Sequence, residues 1–223
     1  MNVGQFIEAF RTERIDRGSP PFWSDEEIVG YLNDAVQQAN ERAWLTEDWT
    51  TPSVCEVELE QGVSTYRLHP SVLHVKEASL DGHVLCETSF EELAYHWPGW
   101  RKASATPRQF VFIPARGNVP ASLQLVATPN QAGTLHLGVY RGALRELGVN
   151  DSHAEPELPR RFHRPLLDWV YRCAMLKQDA ETLNQTGSAQ HEALFERSFG
   201  TRADANVQRK HQDKRPPLVA SSW

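Results

Sequence analysis

Nine histidines, 29 carboxylates and three cysteines are the groups with which this 223-residue chain could do chemistry. Their spacing decides whether it does. Zinc hydrolysis on a helix needs two histidines four apart with a glutamate between them. Acyl transfer needs a serine on a glycine-flanked elbow, and phosphate chemistry needs a glycine-rich loop ahead of a helix. None of these patterns occurs here. His69, His74, His83 and His136 fall in or beside strand-like segments at no ligand spacing, as surface or hydrogen-bonded core imidazoles do. Asp25, Glu26 and Glu27 form an acidic run, but the run opens a helix, where negative charge complements the helix dipole without a metal. Cys55, Cys86 and Cys173 are far apart and odd in number, which reads as buried small hydrophobes and not as a disulfide framework or zinc site. No catalytic residue, metal or cofactor is expected.

Two groups of residues could bind something. Tyr95, Trp97 and Trp100 could form an aromatic platform for a sugar ring or a base, in a loop broken by Pro98-Gly99 and without an adjacent basic groove. Near the C-terminus, Arg209, Lys210, Lys214 and Arg215 precede Pro216, Pro217, Leu218, Val219 and Trp223. The four cations could touch DNA; followed by apolar anchors, they equally suit a flexible partner-binding arm that the charges steer.

These candidates have to be carried by regular elements, and the clearest is the stretch from Pro20 to Leu45. Ser24 can cap a helix while Glu27 reaches back to its amide, with Trp23 placed to staple onto Ile28. Ile28, Leu32, Ala35, Val36, Ala39 and Ala43 then recur at three- and four-residue steps, against Asp34, Gln37, Gln38 and Glu41 on the opposite side. At 1.5 Å per residue this helix is roughly 30 Å long. Val3, Phe6, Ile7 and Phe10 give a shorter helix before it. Phe162, Leu166, Val170 and Cys173 give a third near Leu158, in which Pro165 either kinks the helix or makes Arg160–Arg164 a separate turn. A last helix runs from about Ser188 to Phe199 and stops at Gly200.

Between the helix pairs the period falls to two. Cys55–Glu60 alternates apolar residues with glutamates, Leu73–Leu80 leads through Asp81-Gly82 into His83–Cys86, and Phe110–Ile113, Leu123–Ala127 and Leu135–Tyr140 follow. Ser89 to Leu93 reads as a short capped helix. The expected fold is α+β: a discontinuous four-helix bundle from residues 1–50 and 152–200, an inserted antiparallel β-sandwich or barrel over 51–151, and an extended tail over 201–223.

Composition is that of an ordinary globular chain, with no apolar run long enough to span a bilayer and no secretory leader pattern at Met1–Arg14, so synthesis in a cytoplasm is expected. A formal net charge of -6 disfavours nonspecific adhesion to nucleic acid.

Five segments, in order, resemble the head-tail adaptor proteins of tailed bacteriophages, also called connector or tail tubular protein A-like. They are WSDEEIVGYLNDAVQQANERA (Trp23–Ala43), GVSTYRLHPSVLHVKEASLDGHVL (Gly62–Leu85), ATPRQFVF (Ala105–Phe112), GTLHLGVYRGAL (Gly133–Leu144) and LPRRFHRPLLDWVYRCAM (Leu158–Met175). The resemblance covers about Val3 to Gly200, and Arg164-Pro165 departs from it where the family has a helix former. It implies a structural virion protein at the head-tail junction, a neck component that binds the portal protein and the tail nozzle or tail tube. It further implies a homo-oligomeric ring, commonly a dodecamer, around the DNA ejection channel, with no enzymatic activity and no membrane contact. The competing reading is a ligand-binding β-domain on a helical stalk, with Trp97 and Trp100 as its glycan platform.

Overall fold

A computed structural model of the chain describes residues 1–14, 16–177 and 183–202. It divides into two compact units, one from Met1–Thr46 with Gly142–Arg202 and one whose described part is Glu47–Arg141.

The first unit holds the four long helices, α1 (Val3–Arg14), α2 (Asp25–Ala43), α5 (His163–Ala174) and α6 (Gln185–Phe199). At α2 the capping box forms: Ser24 Oγ accepts from the Glu27 amide at 3.2 Å, and Glu27 Oε2 accepts from the Ser24 amide at 2.9 Å. The helix ends at Ala43, short of Leu45, because Trp44 turns left-handed with φ 47°. A second reciprocal cap joins Asn2 and Gln5 at the start of α1. Pro165 does not kink α5. Arg160–Phe162 forms a separate 3-10 turn, and the proline falls in the first turn of a helix that begins at His163, where its missing N–H costs nothing.

Phe6, Phe10, Ile28, Leu32, Ala35, Ala39, Leu166, Val170, Phe195 and Phe199 are buried together, so all four helices share one core. Ala35 and Ala39 leave the room on α2 that larger neighbours fill. On α6 the helix starts three residues before the expected Ser188. Asn184 accepts from the Gly187 amide at 2.8 Å, and a Cβ at Gly187 would come within 2.7 Å of the Met175 sulfur. The segment Gly142–Asp151, expected with the strands, is held by the helices instead. The Asn33 side chain donates to Leu147 O and accepts from its amide at 3.0 and 2.9 Å.

The second unit is a curled sheet of β1 (Thr46–Asp48), β2 (Glu56–Leu59), β3 (Thr65–Arg67), β4 (Val72–Leu80), β5 (His83–Glu87), β6 (Gln109–Ile113), β7 (Ser122–Val126) and β8 (Gly133–Arg141). Its order is β1-β8-β4-β5-β6-β7-β3, with β2 also on β8. The expectation of a purely antiparallel sandwich or barrel is corrected here: β5 and β6 run parallel, which makes the sheet mixed. The parallel pair follows from the long connection between them, in which α4 (Phe90–His96) and a 3-10 turn at Trp100–Lys102 carry the chain back. Asp81 and Gly82, with φ 51° and 77°, make the tight turn that sets Leu80 opposite His83. Cys55 belongs to a single-turn helix, α3 (Pro52–Cys55), and not to the strand that follows it.

Candidate functional site

Asp48 is the most tightly engaged ionisable group in the β-unit. It is buried and accepts from the Thr50 and Thr51 amides at 3.0 Å, from Thr51 Oγ1 at 2.7 Å and from Arg141 Nε at 2.6 Å. Burial alone would raise its pKa, but these four donors outweigh it and hold the carboxyl well below the ordinary range. Cys55 donates to the same carboxylate at 3.6 Å. Burial, then the Asp48 charge, push its thiol up to about 11. At neutral pH it is a protonated thiol and a poor nucleophile. The cluster fixes the corner between β1, α3 and β8 and leaves no group free to react.

In the helical unit, His191 Nδ1 lies 2.9 Å from Asp168 Oδ1, a spacing that invites comparison with an acid-base dyad. Its other nitrogen lies 3.2 Å from Arg14 Nη2. A guanidinium only donates, so that nitrogen accepts and the proton sits on Nδ1, directed at Asp168. The basic lone pair that would activate a nucleophile is already occupied. Tyr171, beside it, donates to Glu13 at 2.6 Å, and burial followed by that hydrogen bond raises its pKa. Buried His163, which the sequence reading did not single out, lies with Nε2 2.9 Å from the Leu158 carbonyl and so donates there. Each of these side chains serves to tie one segment to another.

Among the described residues, no group of three His, Cys, Asp or Glu side chains could hold a metal ion. Cys55 is buried and Cys173 half-buried, but Cys86 is exposed, which corrects the expectation for that thiol. Its side chain leaves the sheet on the opposite face from buried Leu85.

The tryptophan platform does not form. Trp100 is only 3% exposed and packs with Leu93, Val111 and Val126, its ring stacked on Phe90, whereas Trp97 is 43% exposed and Tyr95 is 76% exposed. Beside Trp100 lies a recess of about 240 Å³ walled by Ser64, Arg101, Gln124, Ala127 and Thr128. A wider, open groove of about 540 Å³ runs along α1 between Gln5, Glu8, Thr12, Glu13 and Arg164. Arg209, Lys210, Lys214, Arg215, Pro216, Pro217, Leu218, Val219 and Trp223 all lie outside the described residues. What composition missed is the recess. Its signal was the run from Leu93 to Arg141, which contains no Asp or Glu while carrying Arg101, Lys102 and Arg108.

No helix among the described residues is long and apolar enough to cross a membrane. Comparison with curated proteins returns no significant match. The sequence pattern of one family, described as SU10 adaptor protein, matches residues 1–219. With nearly the whole chain matched, from α1 through both units, the protein belongs to the SU10 adaptor protein family, structural adaptors of bacteriophage virions.

Proposed function

We propose that the protein is the head-tail adaptor of a tailed phage particle, a homo-oligomeric ring joining the portal protein to the tail nozzle or tail tube. DNA passes through its centre. In this reading α1, α2, α5 and α6 act as one discontinuous four-helix bundle with the β-unit inserted in its middle connection, and twelve copies complete the ring. The single observation that carries it is the family match over residues 1–219. The engagement of the buried ionisable groups in structural pairs supports a role in assembly and not in bond-making. The net charge of -6 suits a channel past which phosphates slide without sequence-specific binding.

The tail from Thr201 to Trp223 is the proposed arm to the portal or a neighbouring subunit. Arg209, Lys210, Lys214 and Arg215 steer it, and Leu218, Val219 and Trp223 anchor it. The free chain is expected to be monomeric at low concentration and to form its ring on the portal template. The deciding experiment is electron microscopy of particles made without this protein. Filled or leaking heads without tails are expected, and purified protein added back should restore tail attachment. Normal tailed particles in its absence would refute the assignment. Removing residues 201–223 should leave the fold intact and stop binding to portal rings; undiminished binding would remove the arm from the proposal.

A further inference from the structure

The recess beside Trp100 holds donors and no acid. Arg101 lies with its guanidinium carbon 4.4 Å above the Trp100 ring and 5.9 Å from the Phe90 ring. Ring contact occupies a face of the guanidinium and leaves its N–H edge to make hydrogen bonds. Among the described residues that edge has no carboxylate, and the exposed Lys102 next to it has none either. Ser64 and Thr128 in the wall carry hydroxyls without a partner among the described residues, while Gln124 is already engaged with Ser64 O and Thr65. The indole N–H of Trp100, itself a wall residue, is buried and unpartnered. Ala127, also in the wall, has φ 67°, a left-handed conformation that a non-glycine residue adopts at an energetic cost. Such strain gathers at ligand clamps.

A cavity with one guanidinium and two hydroxyls that have no partner among the described residues is complementary to a single oxyanion. We propose that this recess binds a carboxylate, the tip of an Asp or Glu side chain presented by a protein partner. A guanidinium edge pairs with one carboxylate through two parallel hydrogen bonds. A nucleic-acid phosphate is the poorer fit. Useful affinity for DNA requires several phosphates to be neutralised together, and the chain as a whole is acidic. The site stands apart from the ring reading, since its occupancy is measurable whether or not the chain assembles.

The test uses the full chain carrying ¹⁵N in arginine and tryptophan, titrated with N-acetyl-glutamate amide. Its uncharged analogue, N-acetyl-glutamine amide, and chloride at matched ionic strength serve as controls. The Arg101 Nε–H and Trp100 indole resonances should shift saturably with the glutamate probe, with half-saturation in the millimolar range, and not with the controls. Arg101→Gln should abolish the Trp100 shift, and Thr128→Val, a milder change, should weaken binding at least about threefold. The proposal falls if both amides act alike, if the shift survives in Arg101→Gln, or if a short DNA duplex at equal anion concentration shifts the resonances as strongly. A shift of the same resonances on concentrating the chain alone assigns the carboxylate to a second copy. A probe shift without that concentration dependence assigns it to a different protein.

Discussion

Replacing Asp48 by asparagine tests the claim that the corner between β1, α3 and β8 is fastened by one buried charge. The asparagine is nearly isosteric, so its carbonyl can still accept from the Thr50 and Thr51 amides, as Asp48 Oδ1 does at 3.0 Å. Its amide would face Arg141 Nε and Thr51 Oγ1, where Oδ2 now accepts at 2.6 and 2.7 Å. Both partners of the ion pair are largely buried, with side-chain exposures of 5% and 11%. Removing one member of such a pair costs about 3–5 kcal/mol. With a urea dependence of about 2 kcal/mol/M, a 3 kcal/mol loss lowers the unfolding midpoint by roughly 1.5 M. Hydrogen exchange should locate the loss in β4 and β8.

The pH dependence follows from the sign of the shift. A carboxyl whose pKa is depressed in the folded protein contributes stability that is fully present above its unfolded value of about 3.9 and is lost as pH falls toward the folded value. The asparagine variant has no titrating group at this position, so its deficit relative to the native chain should shrink between about pH 5 and pH 3. A variant within about 1 kcal/mol of the native chain at pH 7 would refute the reasoning. So would a deficit that stays constant across the acid range.

Ser24→Ala removes the hydroxyl half of the α2 capping box and should cost about 1 kcal/mol. That is a fall of about 2–4 °C in the thermal midpoint. Gly138→Ala would place a Cβ 2.3 Å from the Trp49 ring and should cost at least about 1 kcal/mol. Trp49→Ala in the same chain should remove that penalty, as a double-mutant cycle by urea denaturation would reveal. With a maleimide at pH 8, Cys86 should react first, whereas Cys55, buried and with its thiol pushed up to about 11, should stay unmodified until the protein unfolds. Peptide mass mapping over time would expose any contrary order.

The legible parts of the fold were those whose cause lies within a few residues. The Ser24–Glu27 box, the Asp81-Gly82 turn and the Gly200 stop are local signals, and α1 spans Val3–Arg14 as its periodicity requires. Pro165 was ambiguous because sequence does not say where the first turn begins; the 3-10 turn at Arg160–Phe162 settles it. The parallel pairing of β5 with β6 was not legible, since period-two alternation is the same for either direction. Trp100 illustrates the site. Its type and neighbours suit an exposed platform, and only the packing of Phe90, Val111 and Val126 shows it to be core.

That same packing brings out Arg101. Asp16 holds the Phe22 and Trp23 amides, Asn40 holds Val36 O and the Thr46 hydroxyl, and Asp48 holds a strand corner. His163 and His191 each have a structural partner on both ring nitrogens. In an enzyme, perturbed groups converge on a cavity where substrate can reach them. Here Asp48, Cys55 and Tyr171 are perturbed because they are consumed in holding the fold and line neither cavity, while Glu13, which borders the α1 groove, is itself held by Tyr171 and Arg164. Arg101 is the contrasting case, a guanidinium set against two rings beside a recess with no carboxylate partner among the described residues. Its N–H edge faces a recess walled by hydroxyls, so the carboxylate titration reads directly whether a complement arrives from outside.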